Sequence, residues 1–159
     1  MSPMAAKIVD RARLAEAVAT LARPVVLTNG VFDILHRGHV TYLEQARALG
    51  ASLVVALNSD DSVRRLDKGP ERPIHGEADR ACVLAALASV TLVTIFDETV
   101  PLPVLDIVRP DIYVKGGDYD MDRIDEAQRV RSWGGVAVAL PFVPGHSTTA
   151  TVRRMREAQ

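Results

Sequence analysis

Five short apolar runs alternate with amphipathic segments along this chain of 159 residues. Strands that alternate with helices predict an α/β fold: a Rossmann-like, doubly wound and mostly parallel five-stranded sheet with helices on both faces. The runs are nearly continuously apolar, which is typical of strands that are covered on both sides. These predicted strands are residues 25–28, 52–57, 91–96, 111–114 and 136–140.

Helical periodicity and capping residues place helices between the strands. Asp10 is a candidate N-cap for the first helix, Pro101 suits a first helical turn, and Gly50 suits a helix end. The chain is expected to form one domain, residues 1–159, with an N-terminal helical segment, residues 1–23, packed on it. The predicted helices are residues 9–22, 38–49, 58–66, 77–88, 100–108, 124–133 and 148–157.

The composition excludes several classes of protein and site. The formal net charge of −1 gives no reason to expect binding to nucleic acid or to a membrane. A single cysteine, Cys82, excludes an intrachain disulfide and a cysteine-based zinc cluster. No segment approaches the ~18 apolar residues of a membrane span, and residues 1–14 lack the apolar core of a signal peptide. We therefore expect a cytoplasmic protein without nucleic-acid or membrane partners.

Polar or glycine-containing clusters follow four of the five predicted strands. In sheets of this kind ligands bind beyond the carboxyl ends of the strands, near the point where the strand order reverses. We therefore expect these clusters to meet at one edge of the sheet and to form the functional site. The clusters are residues 29–39, 58–61, 115–119 and 144–149.

The motif His36-Arg37-Gly38-His39 lies where the first strand is followed by a helix. Backbone N–H groups and the helix dipole favour phosphate at such a helix start. Gly38 has no Cβ and lets a ligand approach the backbone, while His36 and His39 can donate hydrogen bonds to phosphate oxygens. This arrangement predicts a site for a nucleotide triphosphate. A metal site is a weaker interpretation, because the spacing suggests no third ligand.

Residues 28–50, TNGVFDILHRGHVTYLEQARALG, resemble the HxGH nucleotidylyltransferases, and in particular the heptose 1-phosphate adenylyltransferases. The elements ALNSD, RPI, YVKGGDY and STT follow in order, so the similarity covers about residues 8–156. The resemblance implies transfer of AMP from ATP to D-glycero-β-D-manno-heptose 1-phosphate. The products would be pyrophosphate and ADP-heptose, a precursor of the lipopolysaccharide core.

The resemblance also implies roles for individual residues. His36 and His39 would stabilise charge on the α-phosphate in the transition state. The nucleotide-binding residues would be Asn29, Gly30, Val31, Phe32, Gly38, Lys115, Gly117, Asp118, Ser147, Thr148, Thr149 and Arg153. The substrate-binding residues would be Asp33, Asn58, Asp60, Arg72, Arg80, Gly116 and Tyr119. Where many relatives have an aliphatic residue before the serine, this chain has His146.

Residues 68–73 form a loop that carries two positive charges and two prolines. The charges are either simply solvated or part of a mobile lid that brings Lys68 and Arg72 over the phosphates, with Lys68 as a third catalytic residue. Asp33 also has a structural alternative, in which it holds the loop by accepting backbone N–H groups. The remaining alternatives are a helix cap at Ser59 or Asp60, helix caps among residues 147–149, and a helix-surface pair of Glu77 with Arg80.

The expected reaction is in-line attack of an acceptor phosphate on the α-phosphorus of ATP, with no need for a general base. Mg²⁺ would arrive with the triphosphate and take few protein ligands. The expected partners are ATP, a sugar 1-phosphate and further copies of the chain, in a dimer or tetramer. Three alternatives stay open: a glycerol-3-phosphate-type cytidylyltransferase, a flavin adenylyltransferase and a nucleotide-binding regulator without turnover.

Overall fold

The computed structural model describes residues 2–158 and contains one sheet of five parallel strands. The predicted α/β class and all five predicted strands are confirmed, and the sheet is parallel throughout. The first strand runs two residues further than predicted, to the edge of the histidine-containing loop. The strands are β1 Val25–Gly30, β2 Ser52–Asn58, β3 Leu92–Phe96, β4 Ile112–Gly116 and β5 Val136–Leu140.

The strand order is β3-β2-β1-β4-β5, so β1 lies at the centre of the sheet. The chain builds outward from β1 to β3 and then crosses back to place β4 on the other side of β1. The order therefore reverses between β1 and β4, where a crevice opens at the carboxyl ends of the strands. Thr28 of β1 pairs with Val55 of β2 and with Val114 of β4. The loops after these three strands consequently meet at one edge.

Seven α-helices connect or flank the strands, and every predicted helix is present. Asp10 caps the first helix as predicted, since its side chain accepts a hydrogen bond from the backbone of Arg13 at 3.0 Å. Two 3-10 helices, Ala5–Lys7 and Met121–Arg123, were not predicted. The α-helices are α1 Arg11–Ala19, α2 Arg37–Ala48, α3 Asp60–Arg65, α4 Glu77–Ala85, α5 Leu102–Val108, α6 Asp125–Arg131 and α7 Thr148–Glu157.

Two apolar layers cover the sheet, one on each face. Neighbouring residues of a strand enter opposite layers: Val26 belongs to one and Leu27 to the other, because side chains alternate along a strand. Helices α2 and α4 supply the first layer, while α1, α5 and α6 supply the second. Helix α7 has no buried residue among those described. It therefore lies outside both layers.

The N-terminal segment is tied to the body of the sheet, as far as residues 2–23 are described. Leu14 of α1 is fully buried in the second layer. The guanidinium of Arg11 donates two hydrogen bonds of 2.6 Å to the carboxylate of Glu98. Lys7 donates to the carbonyl groups of Leu87 and Val90.

None of the helices described within residues 2–158 is long and apolar enough to cross a membrane.

Candidate active site

The histidine-containing turn joins the centre of the sheet to the start of α2. The rings of His36 and His39 stack with centroids 3.9 Å apart and an angle of 22° between their planes. A Cβ added at Gly38 would lie 2.9 Å from the His36 ring and 3.0 Å from Cβ of His146. Any larger residue at position 38 would push the histidines apart, so the glycine is required for their close packing.

His39 is a neutral hydrogen-bond donor in this structure. The backbone N–H of His36 lies 3.4 Å from Nδ1 of His39, which makes Nδ1 an acceptor and leaves the proton on Nε2. Burial, and secondly the neighbouring His36, lower the pKa of His39 from 6.5 to about 4. At neutral pH the ring therefore offers one N–H and no charge.

The ring of His36, like that of His39, has no carboxylate partner within residues 2–158. Burial, followed by the proximity of His146, lowers the pKa of His36 below its ordinary value. Its Nδ1 is buried and has no hydrogen-bond partner among residues 2–158. A buried polar atom without a partner costs free energy. A phosphate oxygen would give the buried nitrogen of His36 a hydrogen-bond partner when that nitrogen carries the proton.

Phe32 and Asn29 complete the first loop. Phe32 has a left-handed backbone (φ 46°), and its ring meets that of His39 edge-on at 5.4 Å. A Cβ at Gly30 would lie 2.9 Å from the Phe32 ring, so this glycine is also needed for close packing. The hydroxyl of Tyr113 donates to Oδ1 of Asn29 at 2.6 Å. This bond occupies Oδ1 of Asn29, and the predicted contact of Asn29 with the nucleotide stays a prediction.

Asp33 has the structural alternative predicted for it. Its carboxylate is fully buried and accepts hydrogen bonds from Nε of Arg72 at 2.6 Å and from the backbone of Ile74 and His75 at 2.8 Å each. Burial opposes ionisation, but the two N–H groups and the guanidinium together hold the pKa of Asp33 below its ordinary value. Contact with substrate is not supported for Asp33, because both oxygens already have partners.

The Asp33–Arg72 ion pair shows that the predicted lid is not mobile along its whole length. Arg72 is buried and fixed to Asp33, so this end of loop 68–73 is anchored rather than mobile. Lys68 is exposed, between residues with positive φ, Asp67 (52°) and Gly69 (112°). Its predicted movement over the phosphates stays a prediction, and the lid would pivot about the anchored Arg72.

The side chain of Arg80 is buried and links several loops. The prediction that it pairs with Glu77 on the helix surface is wrong. The Arg80 side chain is 0% exposed, because α4 turns it under the loops rather than into solvent. Nη1 donates to the carbonyl groups of Val31 and Asn58 at 2.8 Å each, and Nη2 donates to Oδ1 of Asp60 at 2.7 Å. The predicted contact of Arg80 with substrate is therefore not supported.

The turn after β2 is fixed from within the protein. Ser59 is the N-cap of α3, since its hydroxyl accepts from the backbone of Ser62 at 3.1 Å. The side chain of Asn58 is buried and donates to the hydroxyl of Ser62 at 2.9 Å. Asp60 is partly exposed and bonded to Arg80 and, through its backbone N–H, to Glu77. Of the two predicted substrate ligands here, Asp60 alone reaches the surface.

The carboxyl end of β4 places a cation, Lys115, beside the crevice. Nζ of Lys115 lies 3.3 Å from a carboxylate oxygen of Glu126 and 4.6 Å from the centre of the Tyr119 ring. A Cβ at Gly116 would lie 3.0 Å from the Phe142 ring, and Gly117 has a φ of 120°. These glycines allow the loop to pack closely, and Asp118 next to them is exposed.

The start of α7 presents hydroxyl groups beside the histidines. Ser147 caps the helix by accepting from the backbone of Ala150, and Thr148 donates to the carbonyl of Ile34 at 3.0 Å. This contact fixes α7 to the histidine-containing loop, and Thr149 stays exposed. Arg153 is 74% exposed and lies 3.7 Å from Glu157, so no described contact brings it to the histidines.

Sequence reasoning missed two buried partners of site residues. Glu126 fixes Lys115, and Tyr113 fixes Asn29. Glu126 gave a usable signal, since a carboxylate on the inner face of an amphipathic helix has to find a cation or neutralise. Tyr113 gave none, because a tyrosine inside a strand is ordinary core.

Two cavities lie at opposite edges of the sheet, and one of them is at the edge formed by the carboxyl ends of the strands. One, of about 410 Å³, is lined by residues at the starts of α3 and α4, including Asp60 and Glu77. It adjoins the carboxyl end of β2. The other, of about 260 Å³, is lined by Arg23, Arg109 and Trp133 among others and lies at the opposite edge of the sheet. The first is therefore the candidate for an acceptor.

Residues 27–154 match the family model for cytidylyltransferase-like proteins, which includes every element described above from β1 into α7. This chain belongs to the cytidylyltransferase-like family. The resemblance to the HxGH nucleotidylyltransferases is thereby confirmed.

Two curated relatives give a more specific comparison than the family model does. The chain is 58% identical to a D-beta-D-heptose 1-phosphate adenylyltransferase of Bordetella bronchiseptica, over 95% of this chain and 94% of the relative. It is 52% identical to a bifunctional protein HldE of Koribacter versatilis, over 94% of this chain but only 31% of that longer protein.

Two solved structures share the architecture of this chain. A lipopolysaccharide core biosynthesis protein from Thermoplasma volcanium superposes with a TM-score of 0.63 at 29% identity, over 75% of this chain and 95% of that one. A pantoate-beta-alanine ligase from Francisella tularensis gives 0.65 at 12% identity, over 92% of this chain and 72% of that one, which is a likeness of fold alone.

We predict that Asp33→Asn lowers the free energy of unfolding by about 3 kcal/mol, because it leaves the buried Arg72 guanidinium without a counter-charge. Denaturant titration measures this loss. Asp61→Asn is the matched control: its 2.6 Å pair with Arg64 is 75% exposed on the aspartate side, so its change should stay within about 0.5 kcal/mol. Equal losses in the two variants would contradict the buried anchor.

A second prediction concerns pH. Between pH 6.5 and about 4 the unfolded chain binds a proton at His39 that the folded chain does not, so stability falls as the pH falls through this window. His39→Gln removes this contribution. Denaturant titrations at pH 7.5 and pH 5, pH values that bracket most of that window, should show a loss smaller by about 2 kcal/mol in the variant. Identical losses would mean that the ring is not held neutral.

Proposed function

We propose that this chain transfers the adenylyl group of ATP to the phosphate of D-glycero-β-D-manno-heptose 1-phosphate. The stacked, uncharged imidazole pair at the start of α2 carries the proposal for the reaction type, because it offers donors but no charge until a phosphate arrives. The choice of acceptor is supported by the 58% identity to a relative named for that activity, which matches this chain along almost its whole length.

The proposed reaction is a single in-line displacement. An oxygen of the acceptor phosphate attacks the α-phosphorus of ATP, the bond from this phosphorus to the β-bridging oxygen breaks, and pyrophosphate leaves with the electron pair. The acceptor phosphate is already ionised near neutral pH, so no side chain has to remove a proton. His39 donates from Nε2, and His36 and the first N–H groups of α2 donate beside it, where charge builds on the α-phosphate.

The two sides of the histidine-containing turn are assigned to the two substrates. Lys115 lies at the end of β4 and the turn at Gly117 follows it, and Ser147 to Thr149 lie at the start of α7; these elements would hold the nucleotide. The cavity of about 410 Å³ beside Asp60 would hold the sugar, since carboxylates accept hydrogen bonds from several hydroxyl groups at once. The α-phosphate would lie between them, over the histidines.

Nucleotidyltransferases generally use a divalent metal with ATP, and we propose Mg²⁺ here. The described residues contain no group of three or more His, Cys, Asp or Glu side chains placed to hold a metal ion, and both oxygens of Asp33 are occupied. The donors at this edge suit an ion held chiefly by phosphate oxygens and water. When bound, it would neutralise charge on the triphosphate. Assembly into a dimer or tetramer stays a prediction.

We predict that pyrophosphate release requires the pair of ATP and heptose 1-phosphate. Measuring this release with Mg²⁺ for ATP, CTP and GTP against heptose 1-phosphate, glycerol 3-phosphate and flavin mononucleotide tests the proposal. Rapid turnover with another pair would keep the displacement chemistry and overturn the acceptor or the base. Nucleotide binding without turnover in any pair would favour the regulator.

We also predict that His39→Ala lowers kcat by about 100-fold or more while the Kd for ATP changes less than tenfold, because its hydrogen bond strengthens as charge develops on the α-phosphate. Steady-state kinetics and calorimetry give the two numbers. Gln45→Ala, at an exposed position of the same helix, is the control and should leave both unchanged. Equal effects of His39→Ala on binding and turnover would make His39 a binding residue only.

A further inference from the structure

His146 joins the histidine pair from a second helix start. Its ring centroid lies 5.8 Å from that of His36, at an angle of 40°. His36 in turn stacks on His39 at 3.9 Å. Three imidazoles therefore form a continuous row that connects the start of α2 with the start of α7. The contact is close, since a Cβ at Gly38 would come within 3.0 Å of Cβ of His146.

A hydrogen bond to the backbone orients the His146 ring. Nδ1 lies 3.0 Å from the carbonyl oxygen of Pro144. A carbonyl oxygen only accepts, so Nδ1 carries a proton and Nε2 is the free nitrogen. Nε2 makes no hydrogen bond within residues 2–158. The ring is thus held at one nitrogen by its own loop and has its second nitrogen unused.

No carboxylate within residues 2–158 forms an ion pair with any of the three rings. Next to His36, the exposed Arg37 adds positive charge, while Asp33 is bonded to Arg72. On α7, Glu157 lies 3.7 Å from Arg153, and Glu71 of loop 68–73 lies 2.9 Å from Arg156. The acids that these neighbouring elements contribute are therefore bonded to arginines, and the three rings have no anionic partner within the described residues.

We propose that His146 is a third phosphate-contacting residue, whose Nε2 donates to the β- or γ-phosphate of the bound triphosphate. This inference rests on the proposed function, because it takes the triphosphate site as given. The start of α7 is where the leaving pyrophosphate would lie, and His146 directly precedes the capping Ser147. No bond to His146 forms or breaks; its part is to offset charge on the leaving group.

The tautomer adds a consequence. Since Nδ1 keeps its proton for Pro144, Nε2 donates only when the ring is the doubly protonated imidazolium. Contact with phosphate therefore places a full positive charge against the pyrophosphate, and a ring that is neutral before the nucleotide binds has to take up a proton. A charge-assisted hydrogen bond of this kind is about twice as strong as a neutral one.

Two variants separate this role from a purely structural one. His146→Gln places an amide NH₂ near the position of Nε2, whereas His146→Asn places it near Nδ1 and keeps the bond to Pro144. If Nε2 contacts phosphate, the KM for ATP should rise by about tenfold or more in His146→Ala and His146→Asn. His146→Gln should recover a substantial part. Recovery by Asn and not by Gln would overturn the proposal in favour of loop fixation.

Proton uptake gives an independent measurement. Calorimetry of a non-reactive ATP analogue with Mg²⁺, at about pH 8 where free imidazole is neutral, in two buffers of different ionisation enthalpy, gives the number of protons bound with the ligand. We expect His146→Gln to take up fewer protons than the wild type, by up to one per site. An unchanged number would overturn the imidazolium contact.

The measurements distinguish failure of the proposed function from failure of the His146 contact. If the wild type releases no pyrophosphate with any acceptor, the proposed function fails first. If the wild type is active and His146→Ala retains its KM and kcat, only the contact of His146 fails. Met155→Ala, at an exposed position of α7, is the matched control and should behave as the wild type. Thermal unfolding of each variant verifies that the comparison is made between folded proteins.

Discussion

One buried guanidinium, that of Arg80, holds together the loops from which the site is built. It bonds to carbonyl groups after β1 and at the end of β2, to Asp60 at the start of α3 and to the carbonyl of His75 before α4. The Asp33–Arg72 pair lies beside it and shares the segment at residues 72–75. A buried charge tolerates few geometries, since every unpaired donor is costly. The positions of the histidine turn and of the acceptor cavity therefore depend on this cross-link.

Around this rigid base, three carboxylates of the elements near the histidine-containing turn are bonded to cations of the protein: Asp33 to Arg72, Glu71 to Arg156 and Glu126 to Lys115. His36 and His39 are partly buried, and burial lowers the pKa of each ring. A site of this kind is preorganised for an anion, because its donors already point at the vacant space and need little rearrangement when charge develops.

Patterns local in sequence predicted most of the fold and part of the site. The apolar runs, the Asp10 cap and the HxGH turn each depend on residues within a few positions of one another, and the structure has them as expected. The fate of Arg80 was not predictable in this way, because its partners lie 5, 20, 22 and 49 residues away and meet only once the sheet has formed. An arginine on a helix is expected to face solvent, because arginine is rarely buried without a partner.

Ser147 to Thr149 at the start of helix α7 are proposed to bind the nucleotide, and yet α7 contributes no described residue to either apolar layer. Its position is maintained by surface contacts and by the Thr148 bond, while the sheet is stabilised without it. Changes on this helix therefore carry little folding penalty. Selection can alter nucleotide affinity there at small risk to the fold, so α7 is the part of the chain where new substrate ranges can evolve most freely.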